Sequence, residues 1–157
     1  MEVLVIDLVL KWSHRRQPDT IERHREVASG RGSVWWSRAT YNEDAVGLGG
    51  AWLEQLRAQI AGDKRTLVFL HSSSGGTWQT QLLDITTDKS EVNGDLIPSY
   101  YDPSDHHNLW VNLTDFHEID PALLTEGYLL ARTGQPLTAR GLNNQTPLIL
   151  QRRDGTY

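Results

Sequence analysis

The segment that most restricts what this chain can fold into is residues 2 to 12, Glu-Val-Leu-Val-Ile-Asp-Leu-Val-Leu-Lys-Trp. Its apolar, largely β-branched side chains fall on both parities. That pattern is expected of a strand buried on both faces, not of one lying half in solvent. A sheet holding such a strand must be covered on both sides, so helices or further layers have to flank it. The same run does not read as a signal peptide, because Glu2 stands where a basic flank belongs and Asp7 interrupts the apolar stretch. No segment approaches the length needed to span a bilayer. The chain has no cysteine, so a disulfide framework, a thiolate zinc site and a cysteine nucleophile are all excluded. A cytoplasmic protein with no membrane partner is expected.

Downstream, Asp19-Thr20-Ile21-Glu22 carries an N-cap with an acidic residue three positions on, and Gly30 closes the helix it starts. A strand is expected from Ser33 to Arg38. Leu53, Leu56 and Ile60, with Trp52, mark an amphipathic helix from Gly50 to Ala61. Two strands, Thr66–His71 and Trp78–Thr86, are joined by Ser72-Ser73-Ser74-Gly75-Gly76, which reads as a hairpin. Residues 87 to 107 are polar and rich in turn formers, and predict a long irregular loop. A strand from Leu109 to Phe116, a short helix opened by Asp120-Pro121 and closed by Gly127, and a last strand over 147–152 complete the chain. The length of 157 residues suits one domain, expected over 1–152, with 153–157 beginning a linker to a further C-terminal part. The fold class is α+β: a small curved sheet or partly open β-barrel of about six strands, flanked by two or three helices. Helix–strand alternation also fits a parallel βαβ sheet, but the hairpin requires at least one antiparallel pair.

Catalytic signatures are missing. There is no Gly-x-x-x-x-Gly-Lys, no Gly-x-Ser-x-Gly and no His-Glu-x-x-His. Gly47-Leu48-Gly49-Gly50 reads as a turn leading into a helix. Asp102, Asp105, His106 and His107 suggest a metal, yet adjacent histidines rarely converge on one ion, so no metal and no cofactor are expected. Net charge is −5, which by itself argues against a polyanionic partner. Residues 11 to 38 run the other way, with Lys11, Arg15, Arg16, Arg23, Arg25, Arg31 and Arg38 against Asp19, Glu22 and Glu26. A local positive face, not the total, governs phosphate binding; a solvated charged helix face is the plainer reading.

Aromatic usage is the other departure: six Trp and five Tyr against two Phe. Trp and Tyr carry a flat face and a polar tip that needs a partner. Trp12 is followed by Ser13-His14-Arg15-Arg16, and Trp35-Trp36 by Ser37-Arg38. Tyr100-Tyr101 lies in the long loop with Trp110 just beyond. Adjacent strand residues face opposite sides, so one of Trp35 and Trp36 is expected in the core and the other toward a pocket. Plain core packing accounts for any one of these rings; the set, interleaved with basic residues, points to a stacking site.

The stretch Val9-Leu10-Lys11-Trp12-Ser13-His14, a short helix and then Gly32-Ser33-Val34-Trp35-Trp36-Ser37 resembles the opening of the PUA-like group that includes the YTH and EVE domains. The hairpin Leu67–His71 with Thr77–Ile85, and Asn108-Leu109-Trp110-Val111-Asn112-Leu113, follow in the same order. Within the group the chain looks most like the EVE-like domains at the N-terminus of McrB-type modification-dependent restriction proteins. That resemblance implies a non-enzymatic, monomeric module that flips a modified base of double-stranded DNA into an aromatic pocket: a methylated or hydroxymethylated cytosine, or a methylated adenine. An NTPase motor and a nuclease partner would act on the binding event. The implied pocket comprises Trp12, Ser13, Trp35 or Trp36, Ser37, Tyr100 and Tyr101. Lys11, His14, Arg15, Arg16, Arg38, Ser73 and Ser74 are the candidate contacts to the nucleic-acid backbone. A reader of modified RNA is the neighbouring alternative. A small hydrolase or nucleotide-processing enzyme using the Asp102–His107 loop is the alternative of another class.

Overall fold

The computed structural model describes residues 4–40, 48–101, 106–143 and 147–153 and, at 38–40 and 106, the backbone alone. Its centre is β1 (Ile6–Lys11), which pairs in parallel with β3 (Leu67–Ser72) and antiparallel with β7 (Leu148–Arg152). From β3 the sheet continues through β4 (Gly76–Thr86) and β5 (His106–Ile119) to β2 (Val34–Thr40) at one edge. Beyond β7, β6 (Tyr128–Leu130) forms the other edge. The result is one open, mixed sheet of seven strands in the order β2-β5-β4-β3-β1-β7-β6.

Both faces are covered, as the two-parity run of β1 requires. Ile6, Leu8 and Leu10 join Val34, Trp36, Val68, Leu70, Val111 and Leu113 on one face, under α1 (Thr20–Arg31) and α2 (Gly50–Ala61). Val9 goes to the other face with Phe69, Tyr128 and Leu150, under α3 (Ala122–Gly127) and α4 (Ala139–Leu142). The side-chain amide of Gln59 in α2 closes the start of β1, accepting from the Ile6 N–H at 2.8 Å and donating to its carbonyl at 2.9 Å.

Asp7 is fully buried on the second face, and its hydrogen-bond partners among the described residues are all donors. It accepts from the Leu67 backbone N–H at 2.8 Å, the Tyr128 hydroxyl at 2.9 Å and the Arg152 guanidinium at 2.7 and 2.9 Å. A carboxylate out of water is tolerable only when paired and hydrogen-bonded in this way. The clamp ties β1 to β3, β6 and β7.

Several expectations change. Among the described residues there are seven strands and four helices where about six and two or three were expected, the additions being short: β6 is three residues long and α4 four. The first helix runs on to Arg31, and Gly32, not Gly30, takes the left-handed cap at φ 93°. Asp19 makes no side-chain cap; its carboxylate instead pairs with Arg23 at 2.9 Å, which lowers its pKa. The irregular loop ends at β5, which starts at His106, and contains two 3-10 turns, Lys89–Glu91 and Gly94–Leu96. The parallel pairing of β1 with β3 gives the βαβ reading one real instance beside the predicted hairpin.

Candidate nucleic-acid interface

The residues expected at a site form two groups. The first surrounds the end of β1. Trp12 is nearly buried, and its indole meets His14 edge-on at 5.9 Å between ring centres. The β3–β4 hairpin closes over both. A Cβ on Gly75 would overlap the Trp12 ring and stand 2.9 Å from the His14 Cβ, so only glycine lets the hairpin come this close. Ser13 is exposed, and its hydroxyl accepts from the Arg16 backbone N–H at 3.2 Å, closing a turn that presents Arg15 and Arg16 to solvent. Lys11 donates to the Asn143 carbonyl. Ser73 lines a cavity of about 340 Å³ with His71, Pro121, Leu142 and Asn143, and Ser74 is exposed beside it on the hairpin.

The second group gathers where β2, the start of β5 and the preceding loop meet. Trp35 and Trp36 do face opposite sides, paired with Asn112 and Val111. Neither lies open, however: both are buried, and the His24 ring of α1 covers Trp36 at 4.3 Å between centres. The expectation that one of the two indoles stands free toward a pocket therefore changes. His24 also meets Tyr100 and Tyr101 edge-on, at 5.9 and 5.5 Å, and so links buried Trp36 to a second set of rings made by Tyr101, His107 and Trp110. Tyr101 stacks parallel to His107 at 5.9 Å, and His107 leans on Trp110 at 4.8 Å. Ser37 Oγ shares a hydrogen bond with His107 Nδ1.

One hydrogen-bond chain orders this group, and its polarity can be worked out. His24 Nδ1 lies 2.7 Å from the Thr20 carbonyl, which only accepts, so Nδ1 carries the proton. Burial lowers the His24 pKa to about 4, so at neutral pH Nε2 is an acceptor. The Tyr101 hydroxyl, 2.6 Å away, therefore donates to it and accepts in turn from the Ser37 backbone N–H at 3.1 Å. Burial raises the Tyr101 hydroxyl well above its usual pKa and pushes Tyr100 up to about 12, so both stay neutral. Tyr101 thus caps the open edge of β2 with its hydroxyl and turns its ring toward His107 and Trp110.

That ring borders a cavity of about 260 Å³, lined also by His107, Trp110, Lys89, Ile97 and Ser99. Its size sits at the small end for ligand pockets and suits one base-sized ring system. Sequence reasoning reached Ser37, Tyr100 and Tyr101. It missed His24 and placed His107 only with the acidic loop. His24 carried a readable signal: with Ile21 and Ala28 it lies on the stripe of α1 that faces the core. The Arg38 and His106 side chains, and Asp102 and Asp105, lie outside the described residues, so the Asp102–His107 grouping is described only at His107 and in the His106 backbone.

A family model for Pua-like domains matches residues 8–136, from β1 to just beyond β6. The chain belongs to the Pua-like family. No curated protein and no solved structure matches it. Pua-like domains are in general nucleic-acid-binding modules rather than enzymes. In this Pua-like chain the aromatic cavity and the exposed Arg15–Arg16 turn are the two features that suit such a ligand, one offering ring faces and the other positive charge.

Proposed function

We propose that this Pua-like domain recognises a modified base in double-stranded DNA by taking the flipped base into the cavity bordered by Tyr101, His107 and Trp110. The observation that carries the reading is that one small cavity is bordered by three aromatic rings from two elements, with the Ser37–His107 pair beside it. Trp36 and Tyr100 then stand behind the cavity, Trp12 and Ser13 shape the end of β1, and Lys11, His14, Arg15, Arg16, Arg38, Ser73 and Ser74 approach the phosphates. The ligand is a methylated or hydroxymethylated cytosine or a methylated adenine, and the domain serves as the targeting part of a modification-dependent restriction system.

Magnitudes set the design. Flipping a base costs a few kcal/mol in stacking and pairing. Stacking on aromatic rings returns about 1–3 kcal/mol per base, and phosphate contacts supply the remainder. Burying one added methyl is worth about 0.8 kcal/mol, roughly fourfold, so strong discrimination depends on hydrogen bonds to the base edge.

Fluorescence polarisation with matched duplexes tests this: unmodified, methylcytosine, hydroxymethylcytosine and methyladenine, and the same strands as RNA. One modified DNA duplex is expected to bind best, and His107→Ala to remove that preference. Arg15→Ala with Arg16→Ala is expected to weaken all duplexes alike and to flatten the salt dependence. Equal weak binding to every duplex would sink the reading, and a preference for the RNA strands would redirect it to modified RNA. The Ser37–His107 hydrogen bond also has the form of a nucleophile and its base, which favours hydrolysis as the second reading. Turnover of ester or nucleotide substrates, abolished by Ser37→Ala, would establish that instead.

A further inference from the structure

We infer that the indole N–H of Trp110 is the hydrogen-bond donor that reads the ligand in the Tyr101–His107 cavity, and that it selects ring systems presenting an acceptor atom there. This deepens the proposed base recognition and rests on it for the identity of the ligand. Trp110 is 1% exposed, yet its Nε1 has no hydrogen-bond partner among the described residues. A buried donor left in this state is costly, and native proteins almost always satisfy such groups. Trp110 also lines the cavity, so that is the side from which a partner would approach Nε1, with a small shift of the loop wall to uncover it.

The surrounding groups leave this role to Trp110. The Tyr101 hydroxyl already donates to His24 and accepts from Ser37, so it offers the cavity only a ring face. Of the further donor side chains in the wall, Lys89 and Ser99 are exposed residues of the loop, and His107 is held through Nδ1 by Ser37. Two positions along β5 and on the same sheet face, Asn112 is a second buried residue whose Nδ2 has no partner among the described residues. An indole N–H donates and never accepts. A ligand placing a carbonyl oxygen or unprotonated ring nitrogen against it is favoured, and one placing an N–H there meets two opposed donors.

The test follows the Trp110 indole ¹⁵N–¹H resonance, assigned by its loss in Trp110→Phe. Saturating 5-methyl-2′-deoxycytidine should move it downfield, whereas toluene, which fills space without an acceptor, should leave it in place. In the polarisation assay Trp110→Phe should bind the preferred duplex about tenfold more weakly than wild type. An indole signal that stays put with methylcytidine, methyladenosine and thymidine alike overturns the inference, whatever the duplexes do. A variant that keeps wild-type affinity for the preferred duplex overturns it as well. A nucleoside-induced shift without any duplex preference would uphold the Trp110 donor and remove the modified-base reading, so the two fail separately.

Discussion

Two buried polar regions of this domain are built to opposite specifications. Around Asp7 each carboxylate oxygen has donors, drawn from β3, β6 and β7, and the region closes on itself. Around Trp110 the core is just as tightly buried, but an indole N–H and a nearby side-chain amide N–H find no partner among the described residues. The first arrangement yields a fixed sheet. The second leaves hydrogen-bonding capacity beside a cavity, which is where a protein can hold the means to discriminate a ligand. The His24–Tyr101–Ser37 chain stands between the two designs: fully bonded itself, it aims a ring at the unsatisfied corner.

The sharpest way to break the contrast is Asp7→Ala. Removing one partner of a buried pair strands the other, so stability should fall by about 3–5 kcal/mol, read as a lower midpoint in urea at unchanged slope. Loss of less than about 1 kcal/mol would mean the clamp is ornamental. Acid should act next, and at the other region. The folded-state pKa of His24 lies near 4, below the usual 6.5, so the unfolded chain takes up that proton first as pH falls. Its contribution is present above about 6.5 and lost between there and 4, amounting to roughly 3 kcal/mol. His24→Gln should flatten that part of the stability–pH curve, and an unchanged slope in the variant would reassign it. Smallest is Tyr101→Phe, which leaves the Ser37 N–H and His24 Nε2 without partners. It should cost about 1–2 kcal/mol in thermal or urea unfolding.

What was legible in the sequence follows from how local each signal is. The two-parity run of β1, the Leu53–Leu56–Ile60 helix and the Ser72–Gly76 hairpin are short-range patterns, and the structure has them within a residue or a few. β6 was not legible, because three residues directly after a helix carry no period. Asp7 looked like an interruption of an apolar run; its meaning depends on Arg152, 145 positions away. At the candidate site, Trp36-Ser37 and Tyr101 were reached through resemblance to a family. His24 hid inside a helix whose charges drew the attention, and the short loop-to-strand step that brings His107 onto Ser37 has no sequence signature of its own.

The placement of β1 has a consequence for how the chain comes to be folded. The strand is made first, yet the neighbours that cover its two edges are β3, some sixty residues later, and β7, at the far end of the described sheet. At ordinary translation rates of about 5–20 residues per second, on the order of ten seconds separate the emergence of Asp7 from that of Arg152. During that interval the edge of β1 that β7 takes, and the face that Tyr128 and Leu150 cover, have nothing to lie against. Stretches of this composition associate with other chains when left unpaired, so yield in the cell should respond to chaperone capacity and to the speed of synthesis. The segment that most restricts the final architecture is also the one exposed longest before that architecture exists.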